Sequence, residues 1–260
     1  MPLTLLSFDV DGTLIHSIGE RANKLHKDAF IYGFKSACGL DTHIDVVKHH
    51  GSTDPLICIA VMMYHGISKE EALAKLPEVK AAMNSYFMEK AAQDAGTGIE
   101  LLPGVLDLLN ALADMPAAAA TCLVTGNLEP IGWAKMQALG ILELFTKPRF
   151  GGFGSDLCSG NTEESWRDRR DLVSLAAVKG SQLLPGAEEG FAARYHIGDT
   201  PMDIQAALAA GAKAVGVTTG IYSREELLAA APPGTPPGAL LVLDSLEDTS
   251  AVLKAFGLDK

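Results

Sequence analysis

"LLSFDVDGTLIHS", Leu5 to Ser17, is the stretch on which the reading of this chain turns. An apolar run reaches two aspartates, Asp9 and Asp11, separated only by Val10, and breaks at once on Gly12 and Thr13. The run from Thr4 to Val10 is short and mostly apolar, which suits a strand covered on both faces, as in a parallel sheet. On a chain that stays extended, residues two apart project to the same side. Asp9 and Asp11 therefore project to one side together, and something must neutralise their repulsion.

Four later runs resemble the first: Ala117–Val124, Tyr195–Gly198, Ala214–Val217 and Ala239–Leu243. Helical stripes lie between them, in Val105–Leu112, Ile131–Leu139, Leu172–Leu184, Ile204–Ala210 and Arg224–Ala230. Strands alternating with helices of this length predict an α/β fold with a parallel sheet. One stretch breaks the alternation. From Arg21 to Gln93 only helical periodicity is present, read as four separate segments, with Ser68 and Glu71 capping the third and Val79–Met88 forming the fourth. An insertion behind the first strand of an open α/β sheet lies over the crevice where such folds bind ligands. The expected division is a core of residues 1–17 and 98–260 with a helical cap over 18–97. "AGTGIELLPG" (Ala95–Gly104) serves as the return linker.

A net charge of −11 argues against nucleic acid or an anionic membrane as a partner, because either calls for a basic face. Cys38, Cys58, Cys122 and Cys158 are scattered and form no C-x-x-C pair, so they read as reduced thiols. With no basic-then-apolar leader and no long apolar segment, the expected location is the cytoplasm.

Three polar clusters follow apolar strands: "FDVDGT" (Phe8–Thr13), "VTGN" (Val124–Asn127) and "IGDTPMD" (Ile197–Asp203). In a parallel sheet all three converge on one edge. Asp9, Asp11 and Asp199 then make a carboxylate cluster that without a cation would hold at least one proton. A hard divalent ion, Mg²⁺, resolves this, since it takes oxygen ligands from a few carboxylates and keeps positions for water or phosphate oxygens.

"DVDGTL", "VTGN" and "GDTPMD" resemble motifs one, two and four of the haloacid dehalogenase-like hydrolases, and the helical insertion resembles that superfamily's C1-type cap. The likeness is to the branch of phosphoglycolate phosphatases and β-phosphoglucomutase-like proteins. It implies a Rossmann-like core, a Mg²⁺ cofactor, a small phosphorylated metabolite as substrate and an aspartyl-phosphate intermediate. Under the resemblance Asp9 is the nucleophile and Asp11 the proton carrier. Thr125, with Gly126 and Asn127, holds a phosphoryl oxygen, and Asp9, Asp11, Asp199 and Asp203 form the metal set. The resemblance also calls for a basic residue before the Asp199 strand, usually lysine in "KPxP". Lys147-Pro148 comes early for it, so Arg169 is the expected cation, with Arg170 as the neighbouring choice. In "HHGSTDP" (His49–Pro55), Ser52, Thr53 and Asp54 are candidate substrate contacts, and the same residues read equally well as a helix cap. His49 and His50 read as surface residues pointing apart, and His196 as a core histidine. A phosphomutase, or a catalytically silent relative that binds a phosphorylated ligand or a partner, remains an alternative. The sequence leaves monomer and homodimer open.

Overall fold

The computed structural model describes residues 3–259. The opening run forms β1 (Thr4–Phe8), followed by β2 (Ile15–Ser17), α1 (Lys24–Cys38), α2 (Asp54–Tyr64), α3 (Lys69–Asp94) and β3 (Ile99–Leu101). The alternation then runs α4 (Val105–Ala113), β4 (Ala119–Thr125), α5 (Glu129–Ala138), β5 (Gly151–Phe153), α6 (Trp166–Leu183) and β6 (Ala193–Gly198). It ends with α7 (Pro201–Ala209), β7 (Lys213–Val217), α8 (Arg224–Ala229), β8 (Leu240–Leu243) and α9 (Thr249–Ala255).

Six strands form one sheet in the order β5-β4-β1-β6-β7-β8, and every pairing in it is parallel. This is the α/β core with a parallel sheet that the sequence pattern predicts, and it is Rossmann-like as the resemblance implies. β1 is buried along its whole length because its side chains alternate between two apolar layers. Leu6 and Phe8 pack with Leu108 of α4 and Phe256 beside α9, whereas Leu5 packs with Leu172 of α6 and Ala207 of α7. The chain leaves β1 toward β4 on one side and leaves β6 toward β7 on the other. The strand order therefore reverses between β1 and β6, which places the crevice of such a sheet at the ends of these two strands. Asp9 and Asp199 each follow directly on one of them.

Helices α1, α2 and α3 gather around their own apolar cluster, which includes Phe30, Phe34, Met62, Val79 and Phe87 and extends to Leu128 and Ile131 at α5. The chain enters and leaves this layer through the antiparallel pair β2 and β3.

Three elements differ from the sequence expectation. The third and fourth helical segments are one 26-residue helix, α3, that runs through Pro77. Buried Ala72, Leu76, Val79, Met83 and Phe87 keep a continuous stripe across the proline, and this packing outweighs the lost hydrogen bond. The return linker contains β3, whose three residues are ordered by pairing with β2. Gly151–Phe153 is an edge strand, paired only with β4 and too short and glycine-rich to show a period of its own.

Candidate active site

Gly12 has φ 89°, a conformation that favours glycine, and it turns the chain back immediately after Asp11. Asp9 is held at the strand end by its N–H, which donates to the Ile197 carbonyl at 2.9 Å. Its carboxylate lies 3.1 Å from Arg169 Nη1. Arg169 stands in the first turn of α6, 2% exposed, and the same nitrogen donates to Asp203 Oδ1 at 2.7 Å. Arg170, one residue on, turns outward to Asp171, and exposed Lys147 pairs with Glu143. Of the three basic candidates only Arg169 reaches the strand ends.

Asp203 is fully engaged. Its Oδ1 also accepts from His196 Nε2 at 3.1 Å, and its Oδ2 accepts from the N–H and hydroxyl of Thr200 in the capping box that opens α7. Burial alone would raise its pKa, but Arg169 and His196 outweigh that and bring it down to about 2. His196 is the satisfied core histidine of the sequence reading, and here it braces Asp203.

Among the described residues the Asp199 carboxylate accepts one bond, from the Thr13 hydroxyl at 3.2 Å. Burial, with the charges of Asp203 and Asp9 behind it, drives its pKa well above the ordinary carboxylate value. Asp9 is likewise raised by burial, although Arg169 opposes the shift. Oxygens of Asp9, Asp199 and Asp203 lie within 4.8 Å of one another, and among the described residues this is the one cluster suited to a metal.

Asp11 departs from the expectation. Its carboxylate is outside this cluster and turns the other way, toward α5. Lys135 Nζ donates to both of its oxygens at 2.9 Å, Asn127 Nδ2 to Oδ2 at 3.0 Å and Asn23 Nδ2 to Oδ1 at 3.1 Å. Burial would raise the pKa of Asp11, but the Lys135 ammonium prevails and lowers it. The two aspartates of the opening motif thus line one cavity, yet each has its own cation, Arg169 for Asp9 and Lys135 for Asp11. As a metal ligand the Asp11 carboxylate is misplaced, because Lys135 takes both its oxygens.

The cavity measures about 490 Å³ and is lined by Asp9, Asp11, Thr125, Gly126, Asn127, Arg169 and Asp199 from the sheet side. From the helical side come His26, Lys27, His49, His50, Ser52 and Asp54. The loop holding Ser52 is clamped to the sheet edge. The Asp54 N–H donates to the Gly126 carbonyl at 2.8 Å, and a Cβ on Gly126 would collide with the backbone of Ser52 and Thr53. Thr53 is not a cavity residue: its buried hydroxyl caps α2 by accepting from the Leu56 N–H. His49 and His50 do not point apart. They lie outside any helix, their rings stack at 4.5 Å, and both face the cavity. Lys135 and His26 have no part in the sequence reading. Their signal was nonetheless present, since Lys135 continues the buried stripe of Leu128 and Ile131, where a lysine is out of place.

Asp9 and Asp199 at the ends of adjacent parallel strands, with the buried Arg169 on Asp9 and the hydroxyl and glycine of Thr125–Gly126 beside them, make a site suited to hydrolysis on a Rossmann-like sheet. The family model described as haloacid dehalogenase-like hydrolase matches residues 3–211, and the chain belongs to that family. A second model, for HAD-hydrolase-like proteins, matches residues 183–249. The phosphoglycolate phosphatase of Rhodospirillum rubrum is 27% identical over 245 residues, covering 94% of this chain and 88% of that protein. A hydrolase from Pseudomonas syringae shares the fold at TM-score 0.60 and 19% identity, with both chains fully covered. CbbY from Rhodobacter sphaeroides, solved with phosphate, gives 0.52 at 21% identity over 95% of this chain and 96% of its own. No described helix is long and apolar enough to cross a membrane.

Proposed function

We propose that this chain is a Mg²⁺-dependent phosphatase that hydrolyses a small phosphorylated metabolite through an aspartyl-phosphate on Asp9. The observation that carries the reading is the placement of the Asp9 carboxylate, 3.1 Å from the Arg169 guanidinium in a cavity of about 490 Å³. That volume suits a small ligand, and the name of the Rhodospirillum rubrum relative supports a phosphate monoester.

The residues fit a divalent cation. Four carboxylates at the strand ends face two fixed cations, and Asp199, with a single hydroxyl donor, carries a strongly raised pKa that a cation would relieve. Asp9 and Asp199 would hold the ion, with Asp203 behind them anchoring Arg169. Bound there, it lowers the repulsion between the Asp9 carboxylate and an anionic substrate.

In the reaction the Asp9 oxygen attacks phosphorus, forming a new P–O bond as the bond to the leaving oxygen breaks. Asp11, which the Lys135 ammonium keeps ionised in the free site, gains a proton once the anionic substrate beside it offsets that charge. It passes this proton to that oxygen, and then takes a proton from the water that attacks the phosphoenzyme and frees Asp9. Arg169, the Thr125 hydroxyl and the Gly126 N–H stabilise the phosphoryl oxygens as charge shifts among them. Residues 18–97 act as a cap that opens for exchange and closes against water, with Ser52 contributing to substrate contacts.

Phosphate release across a panel of metabolites, with and without Mg²⁺, tests the reading. Asp9→Asn should abolish turnover while the fold persists, and retained activity in a clean preparation would sink the nucleophile assignment. A phosphomutase would return an isomeric phosphate rather than inorganic phosphate.

A further inference from the structure

We infer that Lys135 is a positioning residue for proton transfer, orienting Asp11 through a buried chain that ties the helical layer to the sheet. The inference rests on the phosphatase reading above. Lys135 is fully buried and does not line the cavity, so it reaches the substrate only through Asp11. Its ammonium has three protons, and all are placed. Two go to the oxygens of Asp11 at 2.9 Å and the third to His26 Nδ1 at 3.3 Å. With Nδ1 accepting, His26 carries its proton on Nε2 and donates to Asp54 Oδ2 at 3.0 Å. Asp54 Oδ2 also accepts the Leu128 N–H at 3.0 Å. The chain Asp11–Lys135–His26–Asp54 thus crosses once between the two layers: Asp11 and Lys135, on α5, belong to the sheet side, His26 to α1 and Asp54 to α2.

Stability alone does not account for a lysine here. Burying an ammonium is costly, and apolar replacements of buried ion pairs are often neutral or stabilising. The neighbours Ile131 and Met136 are already buried and apolar, so a methionine would continue their packing. What lysine adds is a two-pronged grip on the carboxylate that must meet the leaving oxygen. Asn23 and Asn127 complete that grip, and the Asp11 side chain keeps 36% of its surface open to the cavity. His26, stacked on Phe30 at 5.1 Å, fixes the ammonium from the other side. Proton transfer by a positioned group is worth roughly 10²–10⁴-fold, and it depends on hydrogen-bond reach. A carboxylate free to rotate loses much of that.

The test compares two esters on Lys135→Met and the wild type, in Mg²⁺. Glycerol phosphate leaves as an alkoxide that needs a proton, whereas 4-nitrophenyl phosphate leaves as a stable phenolate that does not. Lys135→Met should shift the ratio of the two kcat/KM values against the alkyl ester by about tenfold or more. In an Asp11→Asn background the same substitution should not shift the ratio further. Melting gives a readout apart from activity: Lys135→Met should lower the melting temperature, and adding Asp11→Asn should recover part of the loss. Equal losses on both esters, or additive melting effects, would overturn the inference and leave the phosphatase reading intact. A wild type inactive on every ester would instead refute the phosphatase reading, and this role with it. Lys135→Gln, which keeps a donor without the charge, carries the same comparison if the methionine variant does not fold.

Discussion

Arg169→Met, set beside Arg170→Met, separates the expected cation from its neighbour. Arg169 is buried and gives one nitrogen to both Asp9 and Asp203. Removing one partner of a buried pair costs about 3–5 kcal/mol, because the other charge stays behind uncompensated. Asp203 would keep His196 and two donors from Thr200, so most of the loss falls on Asp9. The lower end, about 3 kcal/mol, is therefore expected, which for a chain of this size lowers the melting temperature by roughly 6–12 °C. Loss of the guanidinium from the phosphoryl site should also reduce kcat by about 10²–10³. Arg170→Met is the control: that side chain is part-exposed against Asp171, and its loss should stay within about 0.5 kcal/mol. The assay is thermal melting of both variants in chelator, followed by phosphate release in Mg²⁺. Arg169→Met melting with the wild type, or Arg170→Met losing as much, would refute the assignment of the buried pair.

Two further outcomes follow from the same geometry. Because burial raises the pKa of Asp9 and Asp199, the folded state retains protons that the unfolded chain releases. Their contribution is full below the ordinary value of 3.8 and declines as pH rises through the raised folded values. Asp203, at about 2, runs the other way and is lost only in stronger acid, outside this window. A divalent cation replaces the missing protons, so Mg²⁺ at a hundredfold excess over Kd should add about 2.7 kcal/mol at pH 7 and less near pH 4; unchanged melting at pH 7 would count against the metal set. Gly126→Ala should displace the Ser52–Asp54 backbone and break the Asp54 N–H bond to the Gly126 carbonyl. A misplacement of this kind is expected to lower kcat/KM by about 10–100-fold while circular dichroism stays native, and wild-type kinetics would show that the clamp is irrelevant to turnover.

The outline of the core was legible because each strand is a short apolar run and each helix an amphipathic stripe, and both are local patterns. Asp9, Thr125 and Asp199 were legible because a parallel sheet brings the ends of its strands to one edge whatever the loops do. α3 was read as two segments, and its continuation through Pro77 rests on the packing of Leu76 and Val79, which no local pattern shows. β5 was missed because three residues acquire strand character by pairing with β4. Thr53 was legible as a cap and as a substrate contact alike, and the burial of its hydroxyl selects the cap.

For the aspartates of "FDVDGT", the sequence by itself determined that two carboxylates would stand at the end of the first strand, in a chain able to bring Asp199 beside them. It could not determine what neutralises each. Spacing along a strand places both carboxylates at the same mouth, but their final directions depend on cations contributed 160 and 124 residues away by Arg169 and Lys135. A long side chain on a helix points to solvent or into the core according to what packs around it. That choice belongs to the tertiary structure, because burying a charge is tolerable only where a partner of opposite sign is already waiting.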